Sequence, residues 1–373
     1  RCFRDEDLRA DRQPEFTQID FEMSFVDQED VMAIGEGFIR EAYGKLLGVD
    51  VPLPLPRLTW DEAMRRFGSD KPDMRFGLEL VDVSDALRNT EFKVFSGALA
   101  EGGSVRGICL KGEAEKLSRK EIDKLQEWIK AYGAKGLAWT RLAEKETSSY
   151  EKFLTPEEAQ AIRTAMGAEP GDVLFLVASG DNTVVFASLG ALRCELARRF
   201  GLIDNSKPCL LWVTDFPQFE YSKEENRYVA MHHPFTAPRD EDVDKLVSDP
   251  GHVYAKAYDM VCNGYELGGG SIRINDPEIQ SKMFEALGFT PEQAQARFGF
   301  LLNAFRFGAP PHGGMAWGLE RIMMVLLGTD NIRDVLAFPK VASSAELMSG
   351  APGRVDPKQL EELGIAVAVK QEE

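Results

Sequence analysis

The sequence lacks most of what would tie a chain to a membrane, a metal cluster or an oxidising compartment. No apolar run approaches the roughly 20 residues needed to cross a bilayer, and the opening stretch Arg1-Cys2-Phe3-Arg4-Asp5-Glu6-Asp7 lacks the apolar core of a signal peptide. Membrane attachment is therefore not expected, and a cytosolic address follows. The five cysteines, Cys2, Cys109, Cys194, Cys209 and Cys262, are far apart and in no paired spacing, which argues for scattered reduced thiols rather than a disulfide framework or a zinc site. Positive charge is also short: 44 Lys and Arg face 61 Asp and Glu, for a net charge of −17. A protein that coats nucleic acid nonspecifically needs an electropositive surface, so only a local basic tract remains open to this chain.

What is present is ample apolar material. With 44% hydrophobic and 10% aromatic residues in 373, the chain can bury a large core divided into two or more compact units. It opens on Arg rather than Met, in what reads as the middle of a strand, so a fragment or processed chain is expected. In the first part, about 1–90, Thr17 to Phe25 alternates with a period of two. Gln18, Asp20 and Glu22 share one strand face and Ile19, Phe21 and Met23 the other, which predicts a core side and a side free for chemistry. Val31, Ile34, Phe38, Ile39 and Tyr43 have helical spacing, and Val51-Pro52-Leu53-Pro54-Leu55-Pro56 ends that unit as an extended linker.

Residues 91–207 change character and read as a self-contained α+β module. The β-prone runs Phe92–Phe95, Val173–Val177 and Thr183–Phe186 alternate with helices, of which two are signalled by Ser118 with Glu121 and by Thr155-Pro156-Glu157-Glu158. A buried strand pattern resumes at Cys209–Val213, and glycine-rich strands follow at Asn263–Ile274 and His312–Trp317. The chain thus looks like one domain, 1–90 and 208–341, interrupted by another, with a loosely packed tail at 342–373 that is short on aromatics.

Four clusters could carry chemistry. Arg4 to Phe16 holds three arginines and five acids in thirteen residues; alone it would read as a solvated loop, but guanidinium forks suit a phosphate clamp and the polar strand face lies just downstream. Met231-His232-His233-Pro234-Phe235 pairs two of the four histidines without further metal-ligand spacing, so a substrate-contacting loop with one histidine facing the ligand is expected. Tyr258 to Arg273 carries three consecutive glycines in a β-prone run, which make sense where something must lie against the backbone; Asp259 and Glu266 could hold Mg²⁺ and Arg273 could pair with a carboxylate. Finally, Gly308 to Leu327 runs from a glycine-bearing strand straight into an apolar helix with Arg321 in its first turn, a place that attracts phosphate. It is neither a Walker-type loop nor a dinucleotide fingerprint.

Phe3-Arg4-Asp5-Glu6 with Gln18-Ile19-Asp20, Gly264-Tyr265-Glu266 through Arg273, and Gly318-Leu319-Glu320-Arg321 together resemble the second and third signature motifs of class II aminoacyl-tRNA synthetases. Arg9 to Gln18 and His232-His233-Pro234-Phe235-Thr236 resemble, more narrowly, the bacterial aspartyl enzymes, and 91–207 resembles their insertion domain. The resemblance implies an α+β fold, an antiparallel β-sheet flanked by helices, and ATP-dependent activation of L-aspartate followed by transfer to the 3′ end of tRNA. It implies that Arg4 bridges the ATP α-phosphate and the aspartate carboxylate, that Asp5, Glu6 and Gln13 lie on ATP, and that Glu266 with Asp259 handles ATP and Mg²⁺. Arg273 would take the side-chain carboxylate of aspartate, helped by His232 and Asp20, while Gly318, Leu319, Glu320 and Arg321 line the adenosine and γ-phosphate site. Arg4, Glu266 and Arg321 would be the catalytic set.

Two departures accompany the resemblance. Glu320 stands where bacterial relatives usually have Asp, and the resemblance leads to the expectation that the anticodon-binding barrel, the first class II motif that builds the homodimer interface, and a loop giving further aspartate contacts lie outside this sequence. Three alternatives stay open. A noncatalytic tRNA- or amino-acid-binding relative would have lost Arg4, Glu266, Arg273 or Arg321, and all four are present. A small-molecule ligase would not need the inserted module. An enzyme that also charges asparagine tRNA would differ in the anticodon reader.

Overall fold

The computed structural model describes residues 1–368. The chain forms two compact units, one made of Asp20–Ala316 and the other of Arg1–Ile19 together with the chain from Trp317 onward. Among the described residues no helix is long and apolar enough to cross a membrane.

The first of these units is organised by two sheets. The larger has six strands in the spatial order Gln18–Ser24, His312–Gly318, Tyr265–Ile272, Ala257–Cys262, Leu210–Thr214 and Arg57–Thr59. Ala257–Cys262 runs antiparallel to both of its neighbours, whereas Arg57–Thr59 joins Leu210–Thr214 in parallel. Ala257–Cys262 and Leu210–Thr214 are buried almost throughout, and Trp212 meets Tyr258 edge to face at 6.2 Å. The helix Gln28–Leu47 starts at Asp27, whose side chain accepts from the backbone of Glu29 and Asp30, and stops at Gly48, the left-handed residue at φ 66°. It buries Val31, Met32, Ile39 and Tyr43, and its buried Glu36 accepts from Trp212 Nε1 at 3.1 Å and from Leu55 N at 3.0 Å. One acid thus fastens the proline-rich linker to the central sheet.

The smaller sheet has five strands in the order Val81–Asp82, Ser104–Leu110, Val173–Ser179, Ala138–Arg141 and Thr147–Ser148, with antiparallel pairing. Its first strand lies upstream of residue 91, too short to be seen as a strand by pattern alone. Alternation along Val173–Val177 sends Val173, Phe175 and Val177 into one apolar cluster and Leu174 and Leu176 into the other. Arg119–Trp128 and Asn182–Phe200 cover the first face, Lys93–Ala100 and Pro156–Ala165 the second. Ser118 and Thr155 cap their helices through the expected reciprocal hydrogen bonds with Glu121 and Glu158.

Three local expectations are corrected. Phe92–Phe95 and Thr183–Phe186 are not strands: the first mostly belongs to the helix Lys93–Ala100 and the second to Asn182–Phe200. Around 183 the helical spacing of Val185, Leu189, Leu192 and Leu196 spans a long buried stripe, and the Asp181 cap satisfies Thr183 N, which together override the β-propensity of four residues. Along Gln18–Ser24 the alternation is present, but its apolar face is not a closed core, since the strand is the outermost of its sheet and Ile19 stays exposed.

In the second unit, Cys2–Phe3 pairs with Glu15–Phe16, and the helix Leu319–Leu327 begins at Gly318 and buries Ile322 and Met324. Ile332 N donates to Ala10 O at 2.8 Å. From 342 to 368 most side chains are exposed, Leu347 and Met348 among them, and only Pro357–Glu362 is helical.

One buried cation ties the helix Asn182–Phe200 to the segment 73–78. Arg193, 1% exposed, donates to the carbonyls of Asp73, Gly77 and Leu78 and lies between the rings of Phe67 and Phe76, at 5.0 and 4.4 Å from their centroids. Arg193→Met keeps the stem and removes these donors, leaving three carbonyls short of a partner. It is expected to lower stability by about 3 kcal/mol in urea unfolding, and a change below about 0.5 kcal/mol would contradict the role.

Candidate functional site

In the unit 20–316 the site is built on one hairpin. Ala257–Cys262 pairs with Tyr265–Ile272 so that Asp259 opposes Gly269 and Met260 opposes Gly268, but beyond a bulge between Met260 and Val261 the partner of Val261 is Glu266. Without the bulge Val261 would face Leu267. Residues opposite each other share a face, as do Asp259 and Val261, so the extra residue turns Glu266 onto the face of Asp259. A Cβ on Gly269 would come within 2.2 Å of Asp259 Oδ1 and 3.7 Å of Glu266 Oε1, so the two carboxylates flank the space that the glycine leaves open. At Gly270 the close neighbour is protein: a Cβ there would reach Gly314 O at 2.0 Å. The glycine run therefore serves strand contact as well as any ligand.

Arg273 follows this hairpin. Its Nε donates to Glu22 Oε1 at 3.2 Å and its Nη1 to Ser271 Oγ at 3.0 Å. Nη1 also contacts His233 Nε2. A guanidinium only donates, so Nε2 is the acceptor in that contact, while Nδ1 lies 3.2 Å from Phe235 N and 3.3 Å from Thr236 Oγ1. Burial first, and then the charge of Arg273, push the His233 pKa down to about 4. The imidazole is thus neutral at pH 7 and adds no second positive charge. His232 turns elsewhere, edge-on to the Phe216 ring at 4.9 Å. Burial lowers its pKa too, against the opposing influence of Glu266 and Asp70.

Of the residues expected here, Asp259, Glu266 and Arg273 lie on or just beyond the hairpin, and Asp20 is exposed on Gln18–Ser24. The histidine at Arg273 is His233, which was not in the expected set. Glu22, two residues beyond Asp20 on the same strand face, was readable from the period of two as a polar residue but not as a partner of Arg273.

In the other unit the loop between Phe3 and Glu15 is closed by Arg4 N donating to Pro14 O at 2.9 Å. The Arg4 guanidinium lies 5.2 Å from the Phe16 ring centroid and 3.8 Å from Glu6, and Arg12 approaches the same Glu6 carboxylate at 3.7 Å. Arg4 and Asp5 are exposed and Glu6 is half-buried. Gln13, by contrast, is buried with both ends of its amide on one backbone: Lys340 N donates to Oε1 at 2.7 Å and Nε2 donates to Lys340 O at 3.2 Å. Glu320 is buried as well, and both of its oxygens accept from Thr17 N, at 3.0 and 2.9 Å. Leu319 N donates to Thr17 O at 2.9 Å, which fixes the start of the helix against that residue. Arg321, in the first turn of that helix, donates to Asp11 O at 3.3 Å.

These placements give two sets of groups suited to anions. One presents Arg4 and Arg321, the second at a helix start where backbone N–H groups favour phosphate. The other presents Arg273 beside a neutral imidazole, with two carboxylates on the hairpin face. Among the described residues no group of three or more His, Cys, Asp or Glu is arranged to hold a metal ion.

The family model for tRNA synthetases class II (D, K and N) matches residues 1–342. The chain belongs to that family. Among curated proteins, this class II chain is 58% identical over its whole length to a protein of Agathobacter rectalis named "Aspartate–tRNA ligase" and 57% identical to one of Lachnoclostridium phytofermentans named "Aspartate–tRNA(Asp/Asn) ligase". In each case it covers 62% of the relative, so the chain spans less than two thirds of the length of these curated relatives. A solved structure described as "Aspartyl tRNA synthetase from Entamoeba histolytica" is 21% identical, with a TM-score of 0.41 over 90% of this chain and 46% of the other.

The neutral state of His233 has a consequence for stability. Its folded pKa of about 4 lies below the ordinary value of 6.5, so the unfolded chain takes up a proton that the folded synthetase chain refuses. Its contribution is complete above pH 6.5 and is lost as the pH falls toward 4. His233→Gln is therefore expected to flatten the decline of unfolding free energy between pH 6.5 and 4, and an unchanged slope would contradict the assignment.

Proposed function

We propose that the chain is the catalytic part of an aspartate–tRNA ligase, which activates L-aspartate with ATP to aspartyl-adenylate and passes the aspartyl group to the 3′ end of tRNA. The observation that carries this reading is the similarity of the whole chain, at 55–58% identity, to curated proteins named as such ligases. Arg273 supports aspartate as the amino acid: its donors match a carboxylate, whereas the amide of asparagine would bring donors of its own to a group that only donates.

In this reading the α-carboxylate of aspartate attacks the α-phosphate in line and pyrophosphate leaves. A terminal ribose hydroxyl of tRNA then takes the aspartyl group and AMP leaves. Arg4 bridges the α-phosphate and the aspartate carboxylate, Asp5 and Glu6 contact ATP from the same loop, and Arg321 pairs with the γ-phosphate. Gly318 and Leu319 give a flat surface to adenosine. Gln13 and Glu320 act on ATP by shaping these walls, because their polar atoms engage the backbone of Lys340 and Thr17. Asp20 and His232 border the amino-acid side. Catalysis rests on positioning and electrostatics, with no covalent enzyme intermediate.

Asp259 and Glu266 suit Mg²⁺, which characteristically takes one or two carboxylates and completes its shell with water and substrate phosphate. When bound, the ion would neutralise charge on the phosphates. The segment 91–207 is the inserted module of this enzyme, 1–90 with 208–341 its catalytic domain, and 342–373 its tail. The complete protein is a cytoplasmic homodimer. Proteins named for aspartate tRNA and for both aspartate and asparagine tRNA are about equally similar to the chain, so charging of asparagine tRNA is the second reading.

ATP–pyrophosphate exchange with Mg²⁺ and aspartate, asparagine, lysine or no amino acid tests the proposal. Exchange is expected with aspartate alone, and Arg273→Leu should reduce it at least a hundredfold. Exchange with none of the three, or driven by asparagine or lysine, would overturn the reading.

A further inference from the structure

The loop that carries His232 and His233 is gripped from beneath by side chains that no motif marks. Gln280, 1% exposed on the helix Pro277–Ala286, donates from Nε2 to Pro234 O at 2.8 Å. Gln218, 2% exposed, donates from Nε2 to Thr236 O at 3.0 Å and receives Met231 N on its own carbonyl at 3.2 Å. Two buried amides therefore hold the backbone on either side of Phe235. The intervening Phe235 ring is set edge-on against Phe284 at 6.2 Å and Phe298 at 5.3 Å. Gln280, Met283 and Phe284 lie on one face of a single helix, and Met283 Sδ approaches Gln218 Nε2 at 3.8 Å.

What these glutamines give up makes their role specific. Among the described residues, Gln218 Oε1 and Gln280 Oε1 are both buried and find no hydrogen-bond partner. An apolar side chain of similar size would avoid that desolvation cost, so these amides are not explained by packing. What they add is the donor end, and each donor is spent on the loop. Beyond it, Thr236 bridges to Arg273, and Ala237 N donates to Ile272 O at 2.8 Å. The loop is thus held on one side by the glutamines and on the other by the segment that presents Arg273.

We propose that Gln280, seconded by Gln218, is a positioning residue for the amino-acid side of the site: it sets the height of the histidine loop and so holds the His233 ring against Arg273. Neither glutamine touches substrate. Loss of the Gln280 donor lets the loop shift, and Arg273 loses the neutral partner that orients its guanidinium toward a carboxylate. The effect falls on the amino acid and spares ATP, whose candidate residues lie largely on other segments. The amino-acid half of this inference rests on the aspartate reading above.

The test uses this chain with Gln280→Met, which keeps length and volume, Gln218→Leu as a second variant, and the exposed Glu278→Gln on the same helix as a control. Two readouts are taken at constant pH: the His233 ring signals in ¹H–¹⁵N spectra, and the affinities for aspartate and for ATP by calorimetry. In Gln280→Met the ring signals are expected to move and aspartate to bind about tenfold more weakly, with ATP affinity unchanged. Glu278→Gln should change neither. Unmoved ring signals in both glutamine variants, or parallel losses for aspartate and ATP, would overturn the proposal. If the unaltered chain bound another amino acid in place of aspartate, the substrate reading would fall while the ring signals still decided the positioning role.

Discussion

The pairing of Ala257–Cys262 with Tyr265–Ile272 is the constraint from which the amino-acid side of the site follows. These strands are central in the six-stranded sheet and largely buried, so their register cannot slip without moving a whole face of side chains. A single bulge in that register puts Glu266 beside Asp259, and glycine at 269 leaves room for both carboxylates. Where the second strand ends, Arg273 begins, and its bridge to Thr236 brings in the histidine loop. The chemistry is arranged by backbone pairing first and by side-chain choice second.

Charge is handled locally in a chain that is strongly acidic overall. Each arginine of the candidate site has a carboxylate close by: Glu6 near Arg4, Glu22 on Arg273, Asp11 near Arg321. Such pairing holds a guanidinium in one orientation before an anionic ligand arrives, which lowers the ordering cost of binding. The histidines work differently. Burial keeps His233 uncharged, so it contributes shape and an acceptor to Arg273 without adding to the positive charge there.

The sequence made the chemistry-bearing segments legible because they break local rules. Consecutive glycines in a strand, polar residues on an alternating strand face and arginine at the start of an apolar helix are all costly without a partner, and each marked a real feature of the fold. Capping boxes at Ser118 and Thr155 were readable for the same reason, since their hydrogen bonds are local. What could not be read depended on distant residues. Thr183–Phe186 became helical through a buried stripe that extends to Leu196, and Gln13 and Glu320 turned to the backbones of Lys340 and Thr17. Which of two adjacent histidines reaches Arg273 is set by a loop held through Gln280 and Gln218, far away in sequence, and no spacing rule carries that information.

The central claim is that the segment following the glycine hairpin presents Arg273 to a carboxylate. A crystal structure of this chain with aspartate and a non-hydrolysable ATP analogue tests it most directly. The account predicts the aspartate side-chain carboxylate within hydrogen-bond distance of the Arg273 guanidinium, with His233 still against that arginine. An aspartate bound with its side chain directed away from Arg273, or an Arg273 still wholly engaged by protein groups in the complex, would contradict it.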